Sequence, residues 1–241
     1  MFTLSLRHLS VRLPLIALCL AFATWTAMTG IAGLYNFQAN SYLELWNQQL
    51  AKNNAYQATP EDYQTALFAS QRAIELTPYN GDFLTSAADL QMWQLLNNHS
   101  LSNKEKQALQ TEILTYYRVA LKQRPTWANT YANFAIAKTR LNQIDTEMQH
   151  ALQTANRLGA HEVDILHITI ELGLFLWPKL DHDTRLTVAS AIERSLTWNL
   201  NEKLNQKERV FALSLVGVYQ LQKEICPLLT PQSQESSNMC F

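Results

Sequence analysis

Leu13 to Leu34 is a run of 22 residues without a charge. At about 1.5 Å rise per residue, a helix of that length measures roughly 33 Å, enough to cross the hydrocarbon core of a bilayer. Within lipid a lone segment satisfies its backbone only by bonding to itself, so such a run folds as a helix. Arg7, His8 and Arg12 precede it, and the first charges after it are Glu44 and Lys52. Basic residues favour the cytoplasmic side, which puts residues 1–12 in the cytoplasm, 13–34 in the membrane and the rest beyond it. Ala21-Phe22-Ala23 offers the alternative of a cleaved signal peptide, but the apolar run continues well past it, which favours a retained anchor. Leu18 before Cys19 argues against lipid attachment at that cysteine. The pairs Ala17/Ala21 and Ala23/Ala27 have the small-residue spacing of helix–helix contacts, a pattern that also arises by chance.

Beyond the anchor a helix–proline cadence recurs. Ala66, Ala73 and Pro78 mark its first occurrence, and Tyr117, Ala120 and Pro125 its second, with the same step from alanine to proline. Small residues let two helices approach closely, and proline stops a helix so that the next can begin. The cadence predicts an all-α fold, an N-terminal transmembrane helix followed by a tetratricopeptide-like array of helical hairpins. Glycine and proline are few, and no strand-like alternation is bounded by hairpin turns. Pro78 and Pro125 stand 47 residues apart, against about 34 in a standard repeat, so this spacing includes an insertion.

Tyr35, Ala39, Tyr42, Trp46 and Leu50 fall near helical spacing, so residues 35–58 read as a helical stalk that breaks near Asn53-Asn54. Residues 59–160 read as the repeats. Thr59-Pro60-Glu61-Asp62 is a helix start, and the helix it opens is expected to pair with one over Gly81–Leu96. Ser102-x-x-Glu105 is a capping box. Thr126 is expected to cap the helix carrying Tyr131, Phe134 and Ala135. Gly159 is expected to end the following one in the left-handed region. Residues 161–225 read as C-terminal hairpins: an apolar helix over Val163–Trp177, a helix capped by Asp181 or Asp183, and a last helix over Gln206–Ile225 opened by Asn205 with Glu208. Residues 226–241 read as a polar, mobile tail. Cys226 and Cys240, 14 residues apart, are a candidate disulfide in an oxidising compartment, worth roughly 3 kcal/mol by loop entropy.

Arg124-Pro125-Thr126-Trp127-Ala128-Asn129-Thr130-Tyr131-Ala132-Asn133-Phe134-Ala135, then Ala155-Asn156-Arg157-Leu158-Gly159-Ala160-His161-Glu162, Leu172-Gly173-Leu174 and Trp177, together resemble the VpsP-type polysaccharide biosynthesis proteins of bacteria. The similarity also extends to the repeat region of some O-antigen ligase-like membrane proteins. It covers about Tyr63 to Leu200. It implies an exported accessory protein tethered to the inner membrane, with a periplasmic domain contacting protein partners of a surface-polysaccharide or biofilm-matrix machine. The quoted residues are mostly packing and capping positions, and the resemblance brings no catalytic motif.

Candidate sites follow from side-chain type. Asn129 and Asn133 lie four apart on the first helix of a repeat, where peptide-binding arrays grip a ligand backbone. With Asp82, Asp89 and Arg140 they form a candidate partner-binding groove; the alternative is plain solvated positions. Asp164, His167 and Glu171 share one face of a greasy helix and suit a metal or a proton relay, or simply the helix's polar face with Arg185 or Lys179. Asp181-His182-Asp183 reads as capping before metal binding. Trp93 and Trp198 are the tryptophans whose exposure would suit sugar stacking. Asn98-His99-Ser100 matches a glycosylation sequon. No phosphate loop, nucleophile elbow or metal-spaced histidine pair is present, so no catalytic residue, metal or cofactor is assigned. With 19 basic and 20 acidic residues, and only Arg7 and Arg12 before the apolar run, the remainder is weakly acidic, which argues against nucleic acid.

Overall fold

The computed structural model describes residues 6–197, 202–237 and 239–240. The fold is all-α: among the described residues every regular element is helical. The chain divides into two compact units, Met1–Gln123 and Arg124–Phe241, a division that falls earlier than the boundary expected near residue 160.

The first unit is built on α1, a single 47-residue helix over Leu6–Lys52. Residues 12–28 are exposed on all sides. Thr24, Thr26 and Thr29 turn their hydroxyls back onto the carbonyls of Leu20, Phe22 and Trp25, so the three hydroxyls in the apolar run are satisfied within the helix. One stretch of this helix is long and apolar enough to cross a membrane.

From Thr29 onward one face of α1 is covered. Ala32, Ala39 and Trp46, spaced by seven, are buried, and α2 (Pro60–Leu76) and α3 (Gly81–Asn97) pack on this side. Residues 35–52 are therefore no free stalk. They form the first helix of the array, and α1 packs more extensively on α2 than α2 does on α3. The next close pair is α3 with α4 (Asn103–Gln123). The hairpins are thus phased one helix earlier than the expected pairing of α2 with α3. The extra residues between Pro78 and Pro125 lengthen these two helices to 17 and 21 residues and open the loop between them.

Helix starts follow local chemistry. Thr59 Oγ1 accepts from Asp62 N–H ahead of Pro60. Asn80 Oδ1 accepts from Asp82 N–H. Ser102 and Glu105 form the reciprocal capping box, Ser102 N–H to Glu105 at 2.8 Å and Glu105 N–H to Ser102 at 3.3 Å.

In the second unit α5 (Ala128–Arg140) pairs with α6 (Thr146–Leu158), and α7 (Val163–Leu176) with α8 (His182–Thr197). Trp127, not Thr126, stands at the start of α5, without a side-chain cap. α5 ends in a Schellman turn on Asn142 (φ 56°), with Gln143 N–H bonding Lys138 C=O at 2.8 Å. Gly159 has φ −105°, so it is not left-handed. It is needed for space, because a Cβ there would stand 2.7 Å from Ile165 Cγ1 and 2.9 Å from Ala128 Cβ. α9 covers Glu202–Tyr219 and ends on Gln220 (φ 56°), whose turn closes with Leu221 N–H to Val216 C=O. The expected last helix is thus split, with the short α10 (Gln222–Ile225) following.

The tail is held in place. Cys226 and Cys240 are joined by a disulfide. α11 (Pro231–Ser237) packs on α8, and Glu193 of α8 accepts from the Thr230 backbone and hydroxyl and from the Ser233 hydroxyl. Burial pushes the Glu193 carboxyl up, but these hydrogen bonds outweigh it and hold the carboxyl below its ordinary value. A lowered folded-state value means that the tie is fully present above the ordinary glutamate range, about 4.3, and is lost as pH falls through the lower folded value. The Thr230 amide resonance should therefore shift in NMR as pH is lowered below about 4, and Glu193→Gln should abolish that titration.

Candidate functional site

The proposed groove residues fall in different units. Asp82 is exposed in the first turn of α3. Asp89 is half-buried and accepts the Tyr117 hydroxyl from α4, so it helps tie α3 to α4. In the second unit Asn129, Asn133 and Arg140 share one face of α5, with spacings of four and seven. Asn129 Nδ2 reaches Glu162 Oε2 at 3.4 Å, and Arg140 is exposed at the C-terminal end. Asn129, Asn133 and Arg140 are thus strung along one face of α5 over its whole length, while Asp89 is engaged elsewhere.

The α7 trio separates. Asp164 and Glu171 are exposed. His167 is hydrogen-bonded through Nε2 to the buried Glu208 of α9, and its ring lies 3.9 Å from the Phe211 ring centroid. Glu208 is therefore a tertiary partner of α7 rather than the capping residue expected with Asn205. Arg185 lies elsewhere, its Nε donating to Trp177 C=O. Asp181 caps α8 through Thr184 N–H at 2.7 Å, while its own N–H donates to Gln149. Among the described residues no three His, Cys, Asp or Glu side chains converge to hold a metal.

Two features escaped the sequence. Lys138, 1% exposed, sits on α5 with its ammonium 2.8 Å from Asp145 and 2.5 Å from Glu147, closing the α5–α6 hairpin. A lysine on an Ala-rich face gives no sequence signal for such burial, because its partners lie across a turn.

The second is a cavity of about 270 Å³ in the first unit, between the start of α2 and the end of α3. Gln57, Thr59, Tyr63, Trp93, Asn97 and Asn98 contribute to its walls, and the lining carries no carboxylate or ammonium. Trp93 is 8% exposed, so it offers no open stacking platform. Its indole N–H is buried and meets no protein acceptor. Burial, aided by the charge of Glu112, pushes the Tyr63 phenol well above its ordinary value, so it stays protonated. This chemistry suits a small uncharged group with hydrogen-bond acceptors; the volume lies just below the usual range for ligand pockets. Trp198 lies outside the described residues. No family model matches the chain, and no curated protein matches it.

Proposed function

We propose that this chain is a single-pass protein of a bacterial inner membrane, with a cytoplasmic N-terminus and a periplasmic helical-repeat scaffold that docks protein partners of an envelope polysaccharide synthesis and export machine. It acts by contact and not by bond-making. The observation that carries the scaffold reading is α1, one unbroken rod whose first stretch is bare and apolar and whose second stretch is a core helix of the array. Anchor and binding module are then a single mechanical piece, which suits a protein that holds partners at a membrane. Arg7 and Arg12 before the apolar run support the orientation, and the Cys226–Cys240 disulfide suits an oxidising compartment. The polysaccharide assignment rests on the resemblance read over about Tyr63 to Leu200.

The shared face of Asn129, Asn133 and Arg140 favours a second reading, a peptide-binding assembly factor of the envelope. Photo-crosslinkers at Asn133 and Arg140 in native membranes separate the two. Capture of polymer synthesis or export components is the expected outcome. Capture dominated by unrelated exported polypeptides would select the second reading, and a C-terminal reporter active only in the cytoplasm would overturn both.

A further inference from the structure

We propose that the turn between α2 and α3, residues 77–81, is a membrane seat: it rests in the head-group layer of the bilayer that α1 enters, with Tyr79 as its interfacial side chain. The inference rests on reading α1 as a membrane span, and it concerns where the array stands on that membrane.

The argument begins with length. α1 is bare on all sides only as far as Met28. Leu13 to Met28 covers about 24 Å at 1.5 Å per residue, short of a hydrocarbon core of about 30 Å. A span starting at Leu13 leaves the hydrocarbon near residue 33. By then the hairpin is already packed on it, since Thr29 is half-buried and Ala32 is fully buried in a cluster with Ala73 and Phe83.

The direction of α2 follows from the two clusters it joins. Its start, Tyr63 and Ala66, packs at Trp46, and its end, Ala73, packs at Ala32. α2 therefore runs antiparallel to α1, back towards the membrane. Thr77 lies four residues past Ala73, about 6 Å deeper than Ala32 along the shared axis. That level, beside Met28, is the boundary between acyl chains and head groups once the roughly 30 Å core runs over about residues 9–28, with Arg12 snorkelling to the cytoplasmic head groups.

The chemistry of the turn matches this depth. Thr77, Pro78, Tyr79, Asn80 and Gly81 carry no charge. Thr77 N–H and its hydroxyl both bond Ala73 C=O, Asn80 N–H bonds Thr77 C=O, and Asn80 C=O accepts from Leu84 N–H. Tyr79 and Gly81 N–H, with Pro78 and Tyr79 C=O, make no such backbone bond, and the hydrated head-group layer can satisfy them where hydrocarbon could not. Of the acids nearest the turn, Glu75 is paired with Arg72 at 2.5 Å, and Asp82 stands at the positive end of the α3 dipole. Tyr79 is 79% exposed, and an amphipathic aromatic ring belongs at a lipid–water interface. Phe68, itself exposed, meets Tyr35 edge-on, and Phe37 continues the exposed apolar surface on α1. No lysine lies at the turn, so the seat does not depend on anionic lipid.

The test uses the full-length chain in phosphatidylcholine vesicles, with Cys19→Ala to remove the one thiol outside the disulfide. Nitroxides are placed singly at Tyr79→Cys, Phe68→Cys, Ser100→Cys and Leu20→Cys, and collision with oxygen and with an aqueous nickel complex is measured by electron paramagnetic resonance. All four sites avoid the buried core. The Tyr79 label should lose most of the nickel access seen at Ser100, gain oxygen access, and lie deeper than the Phe68 label. A Tyr79 label as water-accessible as Ser100, or shallower than Phe68, with the Leu20 label in lipid, overturns the seat and leaves the span intact. A Leu20 label in water overturns the span, and the seat with it.

Discussion

Trp46→Ala should destabilise the first unit by about 3–5 kcal/mol. Trp46 is fully buried and sits where α1, α2 and α3 meet. Its ring centroid lies 4.6 Å from that of Trp93, 5.7 Å from Tyr42 and 6.3 Å from Tyr63. Ring pairs at these separations add about 0.5–1.5 kcal/mol each beyond area burial. The indole N–H has no acceptor, so truncation removes packing and leaves a cavity but loses no hydrogen bond. The loss is a large fraction of the about 5–15 kcal/mol by which a native domain is stable. Trp46→Phe, which keeps a ring and discards the orphan N–H, should be markedly milder. Near-ultraviolet circular dichroism of the detergent-solubilised chain through a denaturant titration reads both. A loss below about 1 kcal/mol for the alanine variant would mean that residues 35–52 are a dispensable stalk after all. In membranes the same variant should stay anchored through its bare segment yet lose its array beside the anchor, which separates tethering from docking.

The helices were legible because their signals are local. The apolar stripes of α2, α4 and α6, the Thr59-Pro60 start and the Ser102–Glu105 box each depend on residues within a turn or two of one another. The phase of the hairpins was not legible. The stripe of Tyr35, Ala39, Tyr42 and Trp46 announces a face that must be covered, but a single stripe does not say by what, and the nearby apolar run drew it towards a stalk. Turns on Asn142 and Gln220 were missed because both take the left-handed conformation without glycine. The grip of Glu193 on Thr230 and of His167 on Glu208 joins residues 37 and 41 apart, beyond the reach of any pattern. The same holds for the proposed groove: spacing puts Asn129, Asn133 and Arg140 on one face of α5, but only coordinates show Asp89 committed to Tyr117. The cavity beside Trp93 had no sequence signature, since amides and a threonine in loops read as solvated turns.

Gly173→Ala should destabilise the second unit by at least about 2–3 kcal/mol, although alanine is the better helix former by roughly 1 kcal/mol. α7 and α8 cross closely at this residue. A Cβ there would stand 2.2 Å from Val188 Cγ2 and 2.8 Å from Cγ1. Valine is β-branched and holds one rotamer in a helix, so it has no easy way to turn aside. Both positions are buried, and relief therefore means moving one helix backbone off the other. Val188→Ala alone should lose about 1–3 kcal/mol as a cavity, yet in the double variant the two Cγ clashes are gone, only a close Cβ–Cβ approach of 3.0 Å remains, and part of the helical gain of the Gly173→Ala change is recovered. The double variant should then be more stable than Gly173→Ala alone, with a coupling of at least about 1 kcal/mol in the favourable direction. Urea midpoints of the four proteins measure it. Additive losses would mean that the α7–α8 crossing is looser than these distances require, because only direct contact between the two sites lets truncation at Val188 relieve the methyl group added at Gly173.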